Sequence, residues 1–370
     1  IDYKIVWGDG SPDFTSPTFA SLVSHTYPVG IYTLVYTVTR GSCVTSKNYN
    51  IFVGNVPAGG IAGNGGATIC SDSTQTFTLT NFINNPPGTT YTLDTKDGAP
   101  TIYQHPPPTN ITKQFKISSC GTNSSNGSTT FNNAFGAYLT INNPCGSAGG
   151  SIVPIYVSGR PKSAFTRSDT IVCQQSTVTL NSTSTKGNNV DNGTCTVGKS
   201  IWKITSPTGG TPFTLVSGSL GNDFGTSDVS VWSAGTDVLN IRFDSAGIYT
   251  INLRTGNSTL CGVHDTTMTI CVNARPNANF NLSQNLICIG ESVIANSSAS
   301  TPLCGVTNFS WTVTYNSISG CSPTTSAFAY INGTSATSQN PEIQFDNPGL
   351  YSIGLRVRIN NSNCFTDVPV

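Results

Sequence analysis

Apolar residues recur along this chain with a period of two. Tyr3, Ile5 and Trp7 alternate with polar or smaller neighbours, as do Tyr32, Leu34, Tyr36 and Val38, and Tyr249, Ile251 and Leu253 alternate with Ile248, Thr250 and Asn252. Thr, Val and Ile fill these runs, and clusters of Gly, Pro, Asn and Ser separate them at hairpin intervals. No amphipathic helical pattern lasts longer than a turn or two. The pattern predicts an all-β protein, and its repetition about every 100 residues predicts tandem Ig-like β-sandwich domains.

A Gly-x-Tyr step follows an apolar strand four times, at Gly30/Tyr32, Gly136/Tyr138, Gly247/Tyr249 and Gly349/Tyr351, with Tyr spacings of 106, 111 and 102 residues. An aromatic precedes each: Trp7, Tyr91, Trp202 and Trp311. Between units, Val157, Arg160, Pro161 and Phe165 repeat the offsets of Val272, Arg275, Pro276 and Phe280. The repeats divide the chain at 1–56, 57–159, 160–274 and 275–370, and each complete unit has the length of a seven-strand sandwich, about 100 residues. Trp7, Trp202 and Trp311 are expected in the cores, and Tyr32, Tyr138, Tyr249 and Tyr351 at the start of a late strand. There a hydroxyl can bond back to the corner backbone or serve as an ordinary core group. Unit one lacks its first two strands and unit four its end, so the sequence reads as a piece of a longer array. In a rod, four units would extend about 120 to 150 Å.

Charge narrows the function. Only 9% of residues are charged, against about 25% in an average soluble domain, and 17 basic residues balance 17 acidic ones. A net charge of zero offers neither the electrostatic drive for nucleic acid nor a polybasic membrane anchor. The apolar runs are far shorter than the roughly 18 to 20 residues of a membrane helix. Twelve Cys against one Met favour an oxidising compartment, so the expected location is extracellular, at the cell surface.

Catalytic chemistry is poorly supplied. The three histidines, His25, His105 and His264, fall in different units, and Glu occurs only at 291 and 342, so neither a nucleophile–base pair nor a paired-Glu centre is expected. His25 is read as a structural hydrogen-bonding residue beside the Gly-Asp-Gly turn. Asp9 and Asp13, with Ser11, are the candidate Ca²⁺ donors, against an Asx turn in which Asp9 caps backbone N–H groups. No other cofactor is expected.

Cysteine carries the strongest chemical signal. Cys195 and Cys304 each precede the unit's Trp by seven residues, and Cys261 and Cys364 follow the Gly-x-Tyr tyrosines by 12 and 13. In a sandwich those positions are the B–C and F–G loops at one end. The expected disulfides are therefore Cys195 to Cys261 and Cys304 to Cys364, each worth roughly 4 kcal/mol on the chain-entropy model. At the opposite end, Cys173 is matched with Cys271 and Cys288 with Cys321. Cys120 is matched with Cys145, leaving Cys43 and Cys70, with the partner of Cys43 expected upstream.

One stretch is more specific. Trp7-Gly8-Asp9-Gly10-Ser11, then His25-Thr26-Tyr27, then Gly30-Ile31-Tyr32-Thr33-Leu34 resembles the polycystic kidney disease (PKD) domain pattern W-x-F-G-D-G-S, H-x-Y, G-x-Y-x-V, without its Phe. The later units keep the aromatic, the Gly-x-Tyr and degenerate turns such as Phe243-Asp244-Ser245-Ala246-Gly247, and look like divergent PKD-like units. Long, Cys-containing arrays of this composition resemble giant surface adhesins of Bacteroidota, including those of gliding motility exported by type IX secretion. The resemblance implies a non-enzymatic stalk or filament that contacts surface polysaccharide or another surface protein, beside neighbouring PKD-like units of the same chain. It also implies O-glycosylation at Asp-Ser/Thr-apolar triplets, here at Thr170 and Ser245. Asn-x-Ser/Thr triplets at Asn110, Asn181, Asn192 and Asn332 are matched by chance in a chain this rich in those residues. The rival readings are accessory binding modules of a secreted hydrolase and a subunit of a structural sheath.

Overall fold

The computed structural model describes residues 1–370 except 208, 210, 317–324, 361 and 369–370. The chain forms two compact units, one of residues 1–161 with 187–198 and 257–262, the other of 162–186 with 199–256 and 263–370. Among the described residues the fold is all-β, and its only helix is the 3₁₀ turn Val229–Val231, capped by the Asp228 carboxylate accepting from Ser230 N–H at 3.0 Å.

The first unit opens with one antiparallel sheet in the order Phe14–Ser16, Asp2–Val6, Gly30–Arg40, Cys43–Val53. Trp7 is the one large side chain that this stretch buries. A sandwich follows. Its smaller sheet orders Asn110–Phe115, Ser73–Thr80 and Gly60–Ala62, and the larger orders Thr68–Cys70, Gly146–Ser158, Phe135–Asn143, Thr90–Asp94 and Thr101–Gln104. Period-two patterning explains the core. Phe77, Leu79, Ile111 and Phe115 point inward from one sheet to meet Tyr91, Leu93, Phe135, Leu139 and Ile141 from the other. Each such side chain contributes about 1.5–3 kcal/mol by leaving water. Tyr91, fully buried, keeps its hydroxyl satisfied by Asn85 Nδ2 at 2.7 Å and His105 Nδ1 at 3.0 Å.

The second unit holds two sandwiches of the same plan; numbered by repeat, the sandwich within 57–159 is the second and these are the third and fourth. In the third quarter of the chain, Phe165–Arg167, Thr177–Ser182, Val238–Phe243 and Phe213–Ser217 face Ile171–Cys173, Gly262–Asn273, Gly247–Ser258 and Lys199–Thr205. In the last, Ala278–Leu282, Ser292–Ala299, Glu342–Phe345 and Phe328–Tyr330 face Thr307–Asn316, Leu350–Ile359 and Phe365–Val368. The repeated aromatics do the same work in both. Phe165 meets Trp202 edge-on at 5.1 Å and Phe280 meets Trp311 at 5.0 Å. Each indole N–H donates to a backbone carbonyl at 2.9 Å, that of Thr236 or Ser338.

The Gly-x-Tyr tyrosines divide. Tyr249 and Tyr351 donate to the carbonyls four residues upstream, Ser245 at 2.9 Å and Asn347 at 3.1 Å, which is corner geometry. Tyr32 reaches only Val29 O, at 3.5 Å. Tyr138 departs from the pattern: its hydroxyl accepts from Ser125 N–H and donates to Ser125 O, thirteen residues upstream. The two-stranded excursion Ser124–Asn126 and Thr129–Phe131 brings Ser125 to it.

Candidate functional site

Four disulfides among the described residues are the chemical feature that the fold builds, and they differ from the pairing that cysteine offsets predict. The bonds are Cys70–Cys261 and Cys120–Cys195 in the first unit, and Cys173–Cys364 and Cys271–Cys304 in the second. Their Cα–Cα distances of 5.5, 5.7, 5.1 and 6.4 Å fall in the usual range. Among the described residues no sandwich is stapled to itself; each bond joins successive repeats.

The reason lies in what the loops touch. Cys195 sits on the hairpin of Asn188–Asp191 and Thr194–Val197, which belongs to the first unit. There Val190 is buried with Ala134 and Tyr156, against Cys120 and Phe131. Ser158 Oγ takes the Val190 N–H at 2.9 Å, and Asn133 Nδ2 donates to Gly193 O at 2.7 Å. Cys261 lies at the tip of the Gly247–Ser258/Gly262–Asn273 hairpin. Asn257 of that tip donates to Asn188 O at 3.0 Å and to Gly159 O. Both loops are thus held against the second sandwich, so Cys195 and Cys261 do not meet each other.

The second unit repeats the design. Cys364 is buried with Cys173, Ile359 and Ile171. Asn273, 1% exposed, donates through Nδ2 to Cys304 O at 3.1 Å and accepts Cys304 N–H at 3.2 Å, beside the Cys271–Cys304 bond. Cys304 and Cys364 are therefore bonded to the third sandwich and not to one another. Cys173 and Cys271 do not pair either, because parallel register sets Cys173 opposite Asn273 and Cys271 opposite Ile171. Cys120 is taken by Cys195, and Cys145 is free and exposed, its Sγ 3.4 Å from Gly54 O. Cys288 is also free and exposed, which removes the expected bond to Cys321; Cys321 itself lies outside the described residues. Cys43 is the other free thiol among the described residues. One sequence signal contained the true pattern: Cys70 to Cys261 and Cys173 to Cys364 are both separated by 191 residues. Matching cysteines within each repeat concealed it.

The Asp9 turn is a closed polar knot. Asp9 Oδ2 lies 2.7 Å from His25 Nε2, its Oδ1 takes the Ser11 N–H at 3.0 Å, and the His25 ring stacks on Trp7 at 4.2 Å. Tyr27 donates to Trp7 O at 3.1 Å. The bond to His25, with those to Ser11, lowers the Asp9 carboxyl to about 2. Asp13 is drawn instead to Lys4 Nζ at 2.8 Å. The two carboxylates proposed for Ca²⁺ are thus engaged with separate partners, and no group of three metal-ligating side chains occurs among the described residues.

His264 does approach a hydroxyl, which sequence spacing did not foresee. Its Nδ1 lies 2.8 Å from Ser163 Oγ. Ser163 is 4% exposed, its backbone N–H donates to the same Nδ1 at 3.2 Å, and Thr266 Oγ1 donates to its carbonyl at 2.7 Å. The group ties strand ends together and presents no nucleophile to solvent. Thr170 is exposed, its carbonyl accepting Cys271 N–H at 2.9 Å. Ser245 is half-buried in the Tyr249 corner. No described helix is long and apolar enough to cross a membrane.

No family model matches the chain, and no curated protein matches it. Solved structures are similar at low identity. The Escherichia coli adhesin FdeC is 11% identical, covering 86% of this chain and 99% of that one, with a TM-score of 0.32. Extracellular domains 3–5 of Drosophila OTK are 13% identical, covering 85% and 94%, with a TM-score of 0.33. Domains I67–I69 of titin are 11% identical, covering 81% and 92%, with a TM-score of 0.29. At such scores the architecture rests on the chain's own strand pairing.

Proposed function

We propose that this chain is a non-catalytic, extracellular stretch of a surface adhesin or filament, in which tandem sandwiches form a covalently cross-linked stalk that carries tension. The observation behind this reading is that each of the four disulfides joins one repeat to the next. Such bonds persist in oxidising surroundings and are rare where thiols are kept reduced. The finer reading, PKD-like units of a gliding-motility adhesin that meets surface polysaccharide or another surface protein, draws on the motif at Trp7 to Leu34. A surface of hydroxyls and amides with 9% charge suits contact with sugar and avoids nucleic acid.

Pulling the chain from its two ends tests the stalk. The shortest covalent route runs from residue 1 to Cys70, across to Cys261, along to Cys271, across to Cys304, along to Cys364 and out. It contains about 145 residues, so the oxidised chain should stop extending near 500 Å, at about 3.5 Å per residue. After reduction all 370 residues are free to extend, to roughly 1,300 Å. Equal lengths before and after reduction would refute the cross-linked stalk.

A further inference from the structure

The staples form a series, and one member lacks its partner. Cys70, Cys173 and Cys288 occupy the same backbone site. Two residues after each, Asp72, Gln175 and Gly290 take positive φ of 65°, 66° and 86°. Their N–H groups donate to the carbonyls of Phe115, Phe243 and Phe345 at 2.6, 2.7 and 2.8 Å. Cys70 and Cys173 are each bonded to the hairpin-tip cysteine 191 residues on, whereas Cys288 is free and exposed.

The surface around Cys288 is unfinished in a matching way. Leu286, Ile287, Ile289, Leu350 and Tyr351 line a cleft of about 240 Å³ beside the thiol. Leu286 is 91% exposed, Ile289 62% and Leu350 60%. The residue equivalent to Leu286 in the third sandwich is Ile171, two before Cys173, and it is covered by Ile359 and Cys364 of the following hairpin. Solvent-exposed apolar side chains grouped at a cleft mark an interaction surface. The covering hairpin in the equivalent place supplies the shape and chemistry of its occupant.

We infer that Cys288 and its cleft receive the hairpin tip of a further sandwich of this kind, through a disulfide to a cysteine about 191 residues further along the same polypeptide. Each thiol gives up one proton and one electron, and the disulfide of a thiol–disulfide exchange protein takes both electrons and both protons and becomes a dithiol. The inference rests on the extracellular reading, because the bond needs oxidising surroundings.

The test uses the full-length protein as secreted, with free thiols alkylated before digestion without reduction. The expected product is the Cys288 peptide joined to a peptide whose cysteine lies about 191 residues on. An alkylated Cys288, one capped by a small thiol, a bond to Cys321, or a bond to Cys43 or Cys145 of a second copy would each overturn the inference. The same digest separates the two levels. If the four bonds between Cys70 and Cys364 are intact and Cys288 is alkylated, only the inference fails; if all are reduced, the extracellular reading fails with it.

Discussion

The first sheet and the third sandwich solve the same folding problem with opposite means. The sheet of residues 2–53 carries the most explicit sequence signature and buries one large side chain, Trp7, which it holds in a knot of Asp9, His25 and Tyr27. The third sandwich keeps only a diluted signature. It buries thirteen residues in one core and is bonded through Cys173, Cys195, Cys261 and Cys271. Motif strength and packing strength are therefore separate quantities. A recognisable motif marks where a turn depends on particular side chains, whereas a core tolerates exchange among apolar residues of similar volume.

The largest expected effect removes a staple. Replacing Cys173 and Cys364 together by Ser releases a 191-residue closure and should lower the opening free energy of the third sandwich by up to about 5 kcal/mol, read by hydrogen exchange along residues 249–253. Cys43→Ser, at a free thiol, should leave exchange in the first sheet unchanged. Next come the two indoles. Trp202→Ala should cost about 4 kcal/mol, as for other large core truncations. Trp7→Ala should cost about 2 kcal/mol, because its principal aromatic contacts are the two rings His25 and Tyr27. If denaturation shows the two losses equal, the contrast between knot and core is wrong.

Smaller effects sharpen the same contrast. Tyr249→Phe removes a buried hydroxyl bonded to Ser245 and Pro212 and should cost about 1 kcal/mol, whereas Tyr32→Phe should cost a few tenths at most. The last effect is acidic. The Asp9 carboxyl, lowered from 3.8 to about 2 chiefly by its bond to His25, stabilises the folded turn fully above pH 4 and loses that contribution as pH falls through 2. Trp7 fluorescence should report a transition in that window, and His25→Ala should abolish it.

Much of this fold was legible in the chain. Alternation at Tyr249, Ile251 and Leu253 identifies a half-buried strand because side chains on a strand alternate faces by geometry alone. The aromatics at Trp202 and Trp311 were legible for a similar reason, since their offsets from Phe165 and Phe280 repeat. The cysteine pairing was not. Offsets within a repeat give which loop a cysteine occupies, but a loop at the end of a sandwich has two possible neighbours, its own sandwich and the adjacent one. The choice at Cys195 follows from Val190, Ser158 and Asn133, whose contacts span 32 to 60 residues and leave no periodic trace. The Tyr138 bond to Ser125 was hidden for the same cause: the excursion carrying Ser125 has no counterpart among the described residues of the other repeats.

The staples overlap in a way that bears on survival outside a cell. Besides the route through Cys70–Cys261 and Cys271–Cys304, a second route runs from Cys70 to Cys120, across to Cys195, back to Cys173 and across to Cys364. Every peptide bond between Cys70 and Cys364 consequently lies on a closed covalent ring. A protease that cuts one exposed loop in this stretch severs no part of the molecule from the rest, and a second cut is needed before a fragment leaves.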